Sequence, residues 1–106
     1  MPDADVLVTT VAEVPHAKRY EEFLRSDSMS AGLYRLPAGA ADGQSPHQED
    51  ELYYVVAGDA VLEAAGRRTK VARGSLAFVA KRVPHRFVDI TADLELLVFF
   101  APAEHA

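Results

Sequence analysis

Two short segments of the chain each combine a histidine with the start of a predicted β-strand. In the first, His47 lies at a loop-to-strand junction, Glu51 opens the strand and Gly58 ends it. In the second, Gly74 is followed by a strand, a turn and then His85, again at the start of a strand. Imidazole and carboxylate groups together suit Fe, Mn, Ni, Cu or Zn. The two histidines and the glutamate could therefore take three positions of a metal coordination sphere and leave the others open to water or substrate.

The alternation of side chains along a strand predicts which neighbouring residues face the interior together with these candidate ligands. If Glu51 faces the interior, Tyr53 and Val55 face it too, and an inward His85 brings Phe87 with it. A polar cluster at one end of an aromatic interior is typical of a small-molecule pocket. Tyr53 is accordingly a candidate catalytic residue, as a general base beside the cluster.

The elements that must position these residues are short strands separated by Gly, Pro, Asp and Ser turn signals every 8–12 residues. Residues 16–27 fit either a short helical turn or an irregular edge segment. This spacing favours an all-β sandwich or small barrel with one short N-terminal helical turn. The predicted strands are Val6–Val11, Ser30–Leu36, Glu51–Ala57, Ala60–Ala64, Arg68–Val71, Leu76–Ala80, His85–Ile90 and Leu94–Phe100.

The two segments resemble the two motifs of the cupin superfamily, whose fold is a double-stranded β-helix, a small jelly-roll barrel. The first cupin motif runs Gly, five residues, His-x-His, three or four residues, Glu, six residues, Gly, and its second half matches His47, Glu51 and Gly58. The second runs Gly, five residues, Pro-x-Gly, two residues, His, three residues, Asn, and Gly74 and His85 match it at the correct separation. The resemblance covers residues 32–101 of what we interpret as a single domain, residues 1–106.

The sequence also departs from these motifs. Ser45 stands where the family has its first histidine, and Ala80, Arg82 and Asp89 replace the Pro, Gly and Asn of the second motif.

The resemblance implies a ligand set for one divalent transition metal, namely Fe, Mn, Ni, Zn or Cu. His47, Glu51 and His85 are its retained ligands, and Gln44, Ser45 or a water molecule is the fourth. The alternative is a cupin in which the three retained side chains hydrogen-bond one another without a metal.

The composition of the chain excludes several types of site and argues against several types of partner. The chain has 106 residues, 49% of them hydrophobic and 25% charged, as in an ordinary folded domain. It has no Cys, which excludes a disulfide framework, a thiolate zinc site and a cysteine nucleophile. The net charge of −5 argues against nucleic-acid and anionic-membrane partners. The acidic N-terminus lacks the features of a secretory signal, and we therefore expect a cytoplasmic location.

Other charged groups have less specific interpretations. We interpret His16 and His105 as solvated, and Glu49 and Asp50 as loop acids facing water, with orientation of His47 as the alternative for these acids. One span carries seven Lys and Arg residues and no acid, and we read it as a solvated hairpin face that pairs with acids elsewhere. The alternative for this span is an anionic substrate or an acidic partner. Its cations are at positions 67, 68, 70, 73, 81, 82 and 86.

Two functions fit these observations. One is a metal-dependent oxygenase, isomerase or lyase that acts on a small organic acid, sugar or polyketide-like molecule. The other is a non-catalytic cupin that binds or senses a small molecule. Because the apolar run that ends at Phe100 could overfill one small barrel, and because cupins commonly pair through sheet faces, we also expect a homodimer.

Overall fold

The computed structural model describes residues 5–44 and 46–105 and forms an antiparallel β-structure. The all-β jelly-roll fold predicted from the sequence is confirmed. A 3-10 turn, Val11–Glu13, precedes the first strand. The strands are β1 (Tyr20–Arg25), β2 (Ser30–Leu36), β3 (Asp50–Ala64), β4 (Arg67–Ala72), β5 (Leu76–Val79) and β6 (His85–Ala101).

The two longest strands, β3 and β6, form the centre of the sheet. The strand order is β1-β2-β6-β3-β4, and β5 pairs with β3 as well. Glu51 pairs with Phe100 at one end of the β3–β6 ladder, and Ala64 pairs with His85 at the other end. A straight ladder of this length would separate Glu51 and His85 by about 40 Å, at roughly 3.3 Å per residue. The ladder must therefore bend back on itself to bring them together.

The bend is located at Gly58 in β3. The β3–β6 register shifts at Gly58, between Ala57 and Asp59, and also on both sides of it, between Val55 and Ala57 and between Asp59 and Val61. Gly58 has φ +103°. A Cβ atom at this position would lie 2.7 Å from the Cα of Leu94 and closer still to the carbonyl oxygen of Asp93. Only glycine satisfies both requirements, the positive φ and the close approach of β6.

Several sequence predictions need correction at this point. Gly58 marks a bend inside β3 rather than the end of a strand, so the strands predicted on either side of it are continuous. The strands predicted over His85–Ile90 and Leu94–Phe100 likewise form the single strand β6. The strand predicted over Val6–Val11 is wrong, because this segment has no sheet partner and Val8 is 87% exposed. The helical turn lies at Val11–Glu13, and residues 16–27 instead contain the edge strand β1.

The core follows the predicted alternation. Glu51, Tyr53 and Val55 are buried on β3, whereas Tyr54 is exposed on the opposite face. The corresponding inward positions of β6 pack against them. The buried hydrophobic cluster comprises Leu36, Tyr53, Val55, Ala60, Leu62, Val71, Val79, Phe87, Ile90, Leu94, Leu96, Val98 and Phe100.

We predict that Gly58→Ala destabilises the fold by at least about 2 kcal/mol. The added Cβ would overpack the contact with β6, and alanine at this positive φ would strain the backbone. Gly43→Ala is the control, since a Cβ at Gly43 meets nothing within 4 Å. That variant should stay within about 0.5 kcal/mol of wild type. Urea unfolding of the three proteins measures the difference, and equal stabilities would contradict the assignment of the bend to Gly58.

Candidate metal centre

The three retained cupin-type ligands come together at the mouth of the barrel. His47 lies in the loop before β3, Glu51 near the start of β3 and His85 at the start of β6. Nε2 of His85 is 3.0 Å from one carboxylate oxygen of Glu51, and Nε2 of His47 is 3.9 Å from the other. One ligand atom from each of the three residues lies within 4.8 Å of the other two. The bend in the β3–β6 ladder thus produces a cluster that can hold a metal ion.

The Glu51 carboxylate is buried, and neither of its oxygens has a hydrogen-bond partner within the described part of the chain. The close contact with His85 does not supply a proton in the neutral ring, because Nδ1 of His85 donates to the carbonyl of Val83 at 2.9 Å. Nε2 then carries a lone pair directed at the carboxylate. Burial lowers the pKa of His85, but the Glu51 carboxylate and the Val83 carbonyl outweigh it and leave that pKa raised.

His47 is held from its other ring nitrogen. Nδ1 lies 3.3 Å from a carboxylate oxygen of Glu104, and the ring packs edge-on against Phe100 with centroids 4.9 Å apart. Nε2 consequently faces the cluster. Burial raises the pKa of Glu104, the charge of His47 acts to lower it, and the nearby acids Glu49 and Glu51 raise it further.

Gln44 presents its amide oxygen to the cluster as a possible fourth ligand atom. Its Nε2 donates to Asp42 at 2.7 Å, which directs Oε1 to within 3.4 Å of Nε2 of His47. Asp42 also accepts hydrogen bonds from the Tyr34 hydroxyl at 2.6 Å and from the backbone N–H of Phe87 at 2.9 Å. The other residue considered for the fourth position, Ser45, lies outside the described residues.

The Tyr53 hydroxyl completes the polar floor of the site. It donates to Oε1 of Gln44 at 3.0 Å and lies 3.0 Å from Nε2 of His85. Burial, followed by the charge of Glu51, raises the pKa of Tyr53 well above its usual range. The group is therefore a neutral phenol at neutral pH, with its hydroxyl hydrogen directed at Gln44. The role of general base considered from the sequence stays a prediction.

A cavity of about 180 Å³ adjoins the cluster. On one wall, Tyr20 packs edge-on against Tyr34 and Phe100, and its ring occupies the space where a side chain at Gly32 would lie. The Tyr20 hydroxyl is buried and has no hydrogen-bond partner among the described residues. The cavity is lined by Tyr20, Tyr34, Gln44, His47, Glu51, Val98, Phe100 and Glu104.

Glu49 and His105 form a contact beside the cluster that the sequence interpretation missed. Glu49 is 2% exposed rather than solvated, and it accepts hydrogen bonds from the backbone and ring of His105. His105 is exposed, as interpreted from the sequence, but its backbone and ring also contact the buried Glu49. His16 is exposed, as expected.

Two of the seven cations in the basic span form ion pairs with acids in the described part of the chain. Arg68 contacts both Glu63 and Asp89, and Arg86 donates to Glu63 at 2.9 Å. These contacts agree with the interpretation as a solvated hairpin face.

Comparison with known proteins agrees with the fold. Residues 32–100 match the family described as the cupin domain. The chain belongs to the cupin family. An uncharacterized protein of Streptomyces coelicolor is 48% identical to this cupin over 85 residues, which make up 80% of this chain and 81% of the relative.

Solved structures show the same fold at low sequence identity. An RmlC-like cupin from Shewanella frigidimarina has a TM-score of 0.77 at 19% identity, covering 90% of this cupin and 89% of that chain. The DMSP lyase DddQ from Ruegeria pomeroyi has a TM-score of 0.70 at 20% identity, covering 89% of this cupin and 54% of the lyase. Across residues 5–44 and 46–105, no helix has the length and hydropathy that crossing a membrane requires.

We predict that Asp42→Asn destabilises the cupin by about 1.5–3 kcal/mol, because a buried carboxylate with three donors is replaced by an amide that cannot accept all three. Asp59→Asn, at an exposed position, is the matched control and should have almost no effect. Denaturant unfolding measures both variants. A loss in Asp42→Asn no larger than in the control would show that Asp42 does not organise this end of the barrel.

Proposed function

We propose that this cupin binds one divalent transition metal, Fe, Mn, Ni, Zn or Cu, and acts as a metal-dependent enzyme on a small organic molecule. His47, Glu51 and His85 are the proposed ligands, and Oε1 of Gln44 is the proposed fourth. One observation carries the proposal. One potential ligand atom from each of His47, Glu51 and His85 lies within 4.8 Å of the others, and while the imidazoles are neutral the buried Glu51 carboxylate has no hydrogen-bond donor among the described residues. A cation satisfies such a set, whereas leaving a buried charge unpaired is costly.

The nature of the donor set limits the chemistry. Neutral imidazoles, a carboxylate and an amide oxygen suit a divalent first-row metal, and a sulfur-bound site is impossible because the chain has no Cys. When bound, such an ion acts as a Lewis acid and offers open positions for oxygenase, isomerase or lyase chemistry. The similarity to a DMSP lyase shows that lyase chemistry occurs on this fold, and by itself it selects no reaction for this chain.

The cavity favours a small substrate without a negative charge. Its aromatic and aliphatic wall includes Tyr34, Val98 and Phe100, and the charged side chains that line it are Glu51, Glu104 and, when protonated, His47. No Lys or Arg is among its described lining residues. A cavity of about 150 Å³ is enough to hold benzene, so a molecule with a single ring matches this space. The positive charge of the proposed metal ion would be offset by Glu51 and Glu104, and no other cation lines the cavity within the described residues, so we propose a neutral molecule rather than an organic acid.

One hydroxyl group of the cavity is available to such a substrate. The buried Tyr20 hydroxyl lines the cavity, has no partner among the described residues and can donate to a substrate oxygen. We propose that Tyr20 orients the substrate. Tyr53 is not among the described residues that line the cavity, and its hydroxyl donates to Gln44, so we assign it to holding the proposed fourth ligand.

We predict that the wild-type protein retains about one divalent metal per chain, as measured by elemental analysis. His47→Ala, His85→Ala and Glu51→Gln should each lose most of this metal, because each variant removes one ligand. His16→Ala is the control, since His16 is exposed and outside the cluster, and it should retain the metal of wild type. Equal metal content in all five proteins would overturn the proposed site.

Saturating the stripped protein with metal should also raise its stability, by about 2.7 kcal/mol at a free concentration of 100 times Kd. A panel of small neutral substrates then separates the two function classes. Metal-dependent turnover supports the enzyme, whereas tight binding without conversion across the panel supports the alternative, a binding or sensing cupin. The cytoplasmic location stays a prediction from the sequence.

We further propose that the cupin forms a homodimer through the outer face of β3 and β5. Leu52 lies opposite Phe78, and Tyr54 lies opposite Leu76. All four side chains are at least 37% exposed, and Leu76 and Phe78 reach 70% and 64%. A contiguous exposed apolar patch of this kind is typical of a protein–protein interface, and homodimer interfaces are the most apolar class.

We predict that Phe78→Glu shifts the protein from dimer to monomer, because it places a charge at the centre of the apolar face. Thr91→Glu adds the same charge at an exposed position outside this face and serves as the control. Size-exclusion chromatography with light scattering measures the mass of each variant. A wild-type monomer, or a Phe78→Glu dimer as stable as the control, would contradict the interface.

A further inference from the structure

The C-terminal tail, residues 102–105, runs from the end of β6 across the mouth of the barrel. The backbone N–H of Glu104 donates to the Ser30 hydroxyl at 2.9 Å, and the guanidinium of Arg25 donates to the Glu104 carbonyl at 2.7 Å. His105 donates from its backbone N–H to Glu49 at 3.3 Å and also contacts Glu49 through Nδ1. The tail is thus fixed to β1, to β2 and to the loop that carries His47.

The contact with Glu49 couples the tail to the metal ligands. Glu49 lies in the chain between His47 and Glu51 and is 2% exposed. The hydrogen bonds that Glu49 receives within the described residues both come from His105. Since a buried carboxylate needs such donors, docking of the tail and packing of the ligand-bearing loop stabilise each other.

The docked tail places a carboxylate on the outer nitrogen of a ligand. Oε2 of Glu104 is 3.3 Å from Nδ1 of His47. As a carboxylate, Glu104 can only accept a hydrogen bond, so its contact favours the neutral tautomer of His47 that carries the proton on Nδ1, in competition with Oε1 of Gln44, which lies 3.4 Å from Nε2. In the tautomer that Glu104 favours, the lone pair of Nε2 is directed at the cluster. His85 reaches the same state through the Val83 carbonyl, and the two histidines therefore have different orienting partners.

We propose that Glu104 is a positioning residue of the metal centre, and that the docked C-terminal tail holds His47 in the tautomer and orientation that bind the metal. The proposal rests on the proposed function, because it assigns Glu104 a role toward a metal ligand. It adds a residue that lies outside both cupin-type motifs and beyond residues 32–100, which match the family. Loss of such an orienting carboxylate typically lowers metal affinity 10- to 100-fold.

The first experiment needs no metal. Long-range 1H–15N correlation spectra of the histidine rings, recorded on chelator-treated protein at a pH where the imidazoles are neutral, report which nitrogen of His47 carries the proton. The wild-type protein should show His47 protonated on Nδ1. In Glu104→Ala the Nε2-protonated form should appear, because the acceptors that remain near His47, Gln44 and Glu51, lie on the Nε2 side.

The second experiment is calorimetric titration of the same proteins with Co²⁺ alone. Glu104→Ala should weaken binding 10- to 100-fold, and Glu104→Gln should weaken it less, because its amide oxygen still accepts the Nδ1 hydrogen. His105→Ala loosens the tail without touching His47 and should fall between wild type and Glu104→Ala. Glu13→Gln, in the remote 3-10 turn, is the control and should bind as wild type does.

The outcomes separate the two proposals. If the wild-type protein binds no Co²⁺, the proposed function fails and the role of Glu104 fails with it. If the wild type binds Co²⁺ and Glu104→Ala binds it equally well with the same His47 tautomer, only the positioning role is overturned. Thermal unfolding of each variant shows whether it is folded, and a rescue by Glu104→Gln that Glu104→Ala lacks distinguishes positioning from a general loss of structure.

Discussion

The Glu51 carboxylate lies inside the barrel and receives no hydrogen bond from the residues that the structure describes. Neutral His85 cannot donate to it, because its Nδ1–H is bonded to the Val83 carbonyl, and the nearest atom of Gln44 is an amide oxygen, which is an acceptor. Acceptors therefore stand beside this carboxylate in place of the donors that usually satisfy a buried charge. Each orienting contact around the mouth, from Asp42, the Val83 carbonyl and the tail, maintains this arrangement.

The central part of this arrangement was predictable because local spacing determines it. His47 and Glu51 are four residues apart at the entrance to one strand, and strand alternation then places Tyr53 and Val55 inside the barrel. The glycine that follows was predicted to end the strand, since glycine is normally a turn signal. In the folded chain the same residue bends one long strand, because a close approach by β6 leaves no room for a side chain.

The supporting residues were not predictable, because their contacts are remote in sequence. Asp42 reaches a backbone N–H 45 residues later, and Glu49 meets His105 56 residues later. A single acid in a polar loop has no periodicity that distinguishes a buried position from a solvated one. The N-terminal Val6–Val11 segment shows the opposite error, since its β-branched composition suits a strand but it has no neighbouring edge to pair with.

The position of the ligands within the sheet also bears on how a bound ion would leave. Glu51 and His85 belong to β3 and β6, which are central in the ladder, so opening the edge strands β1 and β4 leaves both in place. The C-terminal tail, in contrast, is held by a small number of hydrogen bonds, with Arg25, Ser30 and Glu49, and can open without disrupting the sheet. Exchange of the ion with solvent would then follow local opening of the tail rather than global unfolding. The centre could thus release its metal on a far shorter timescale than the lifetime of the fold.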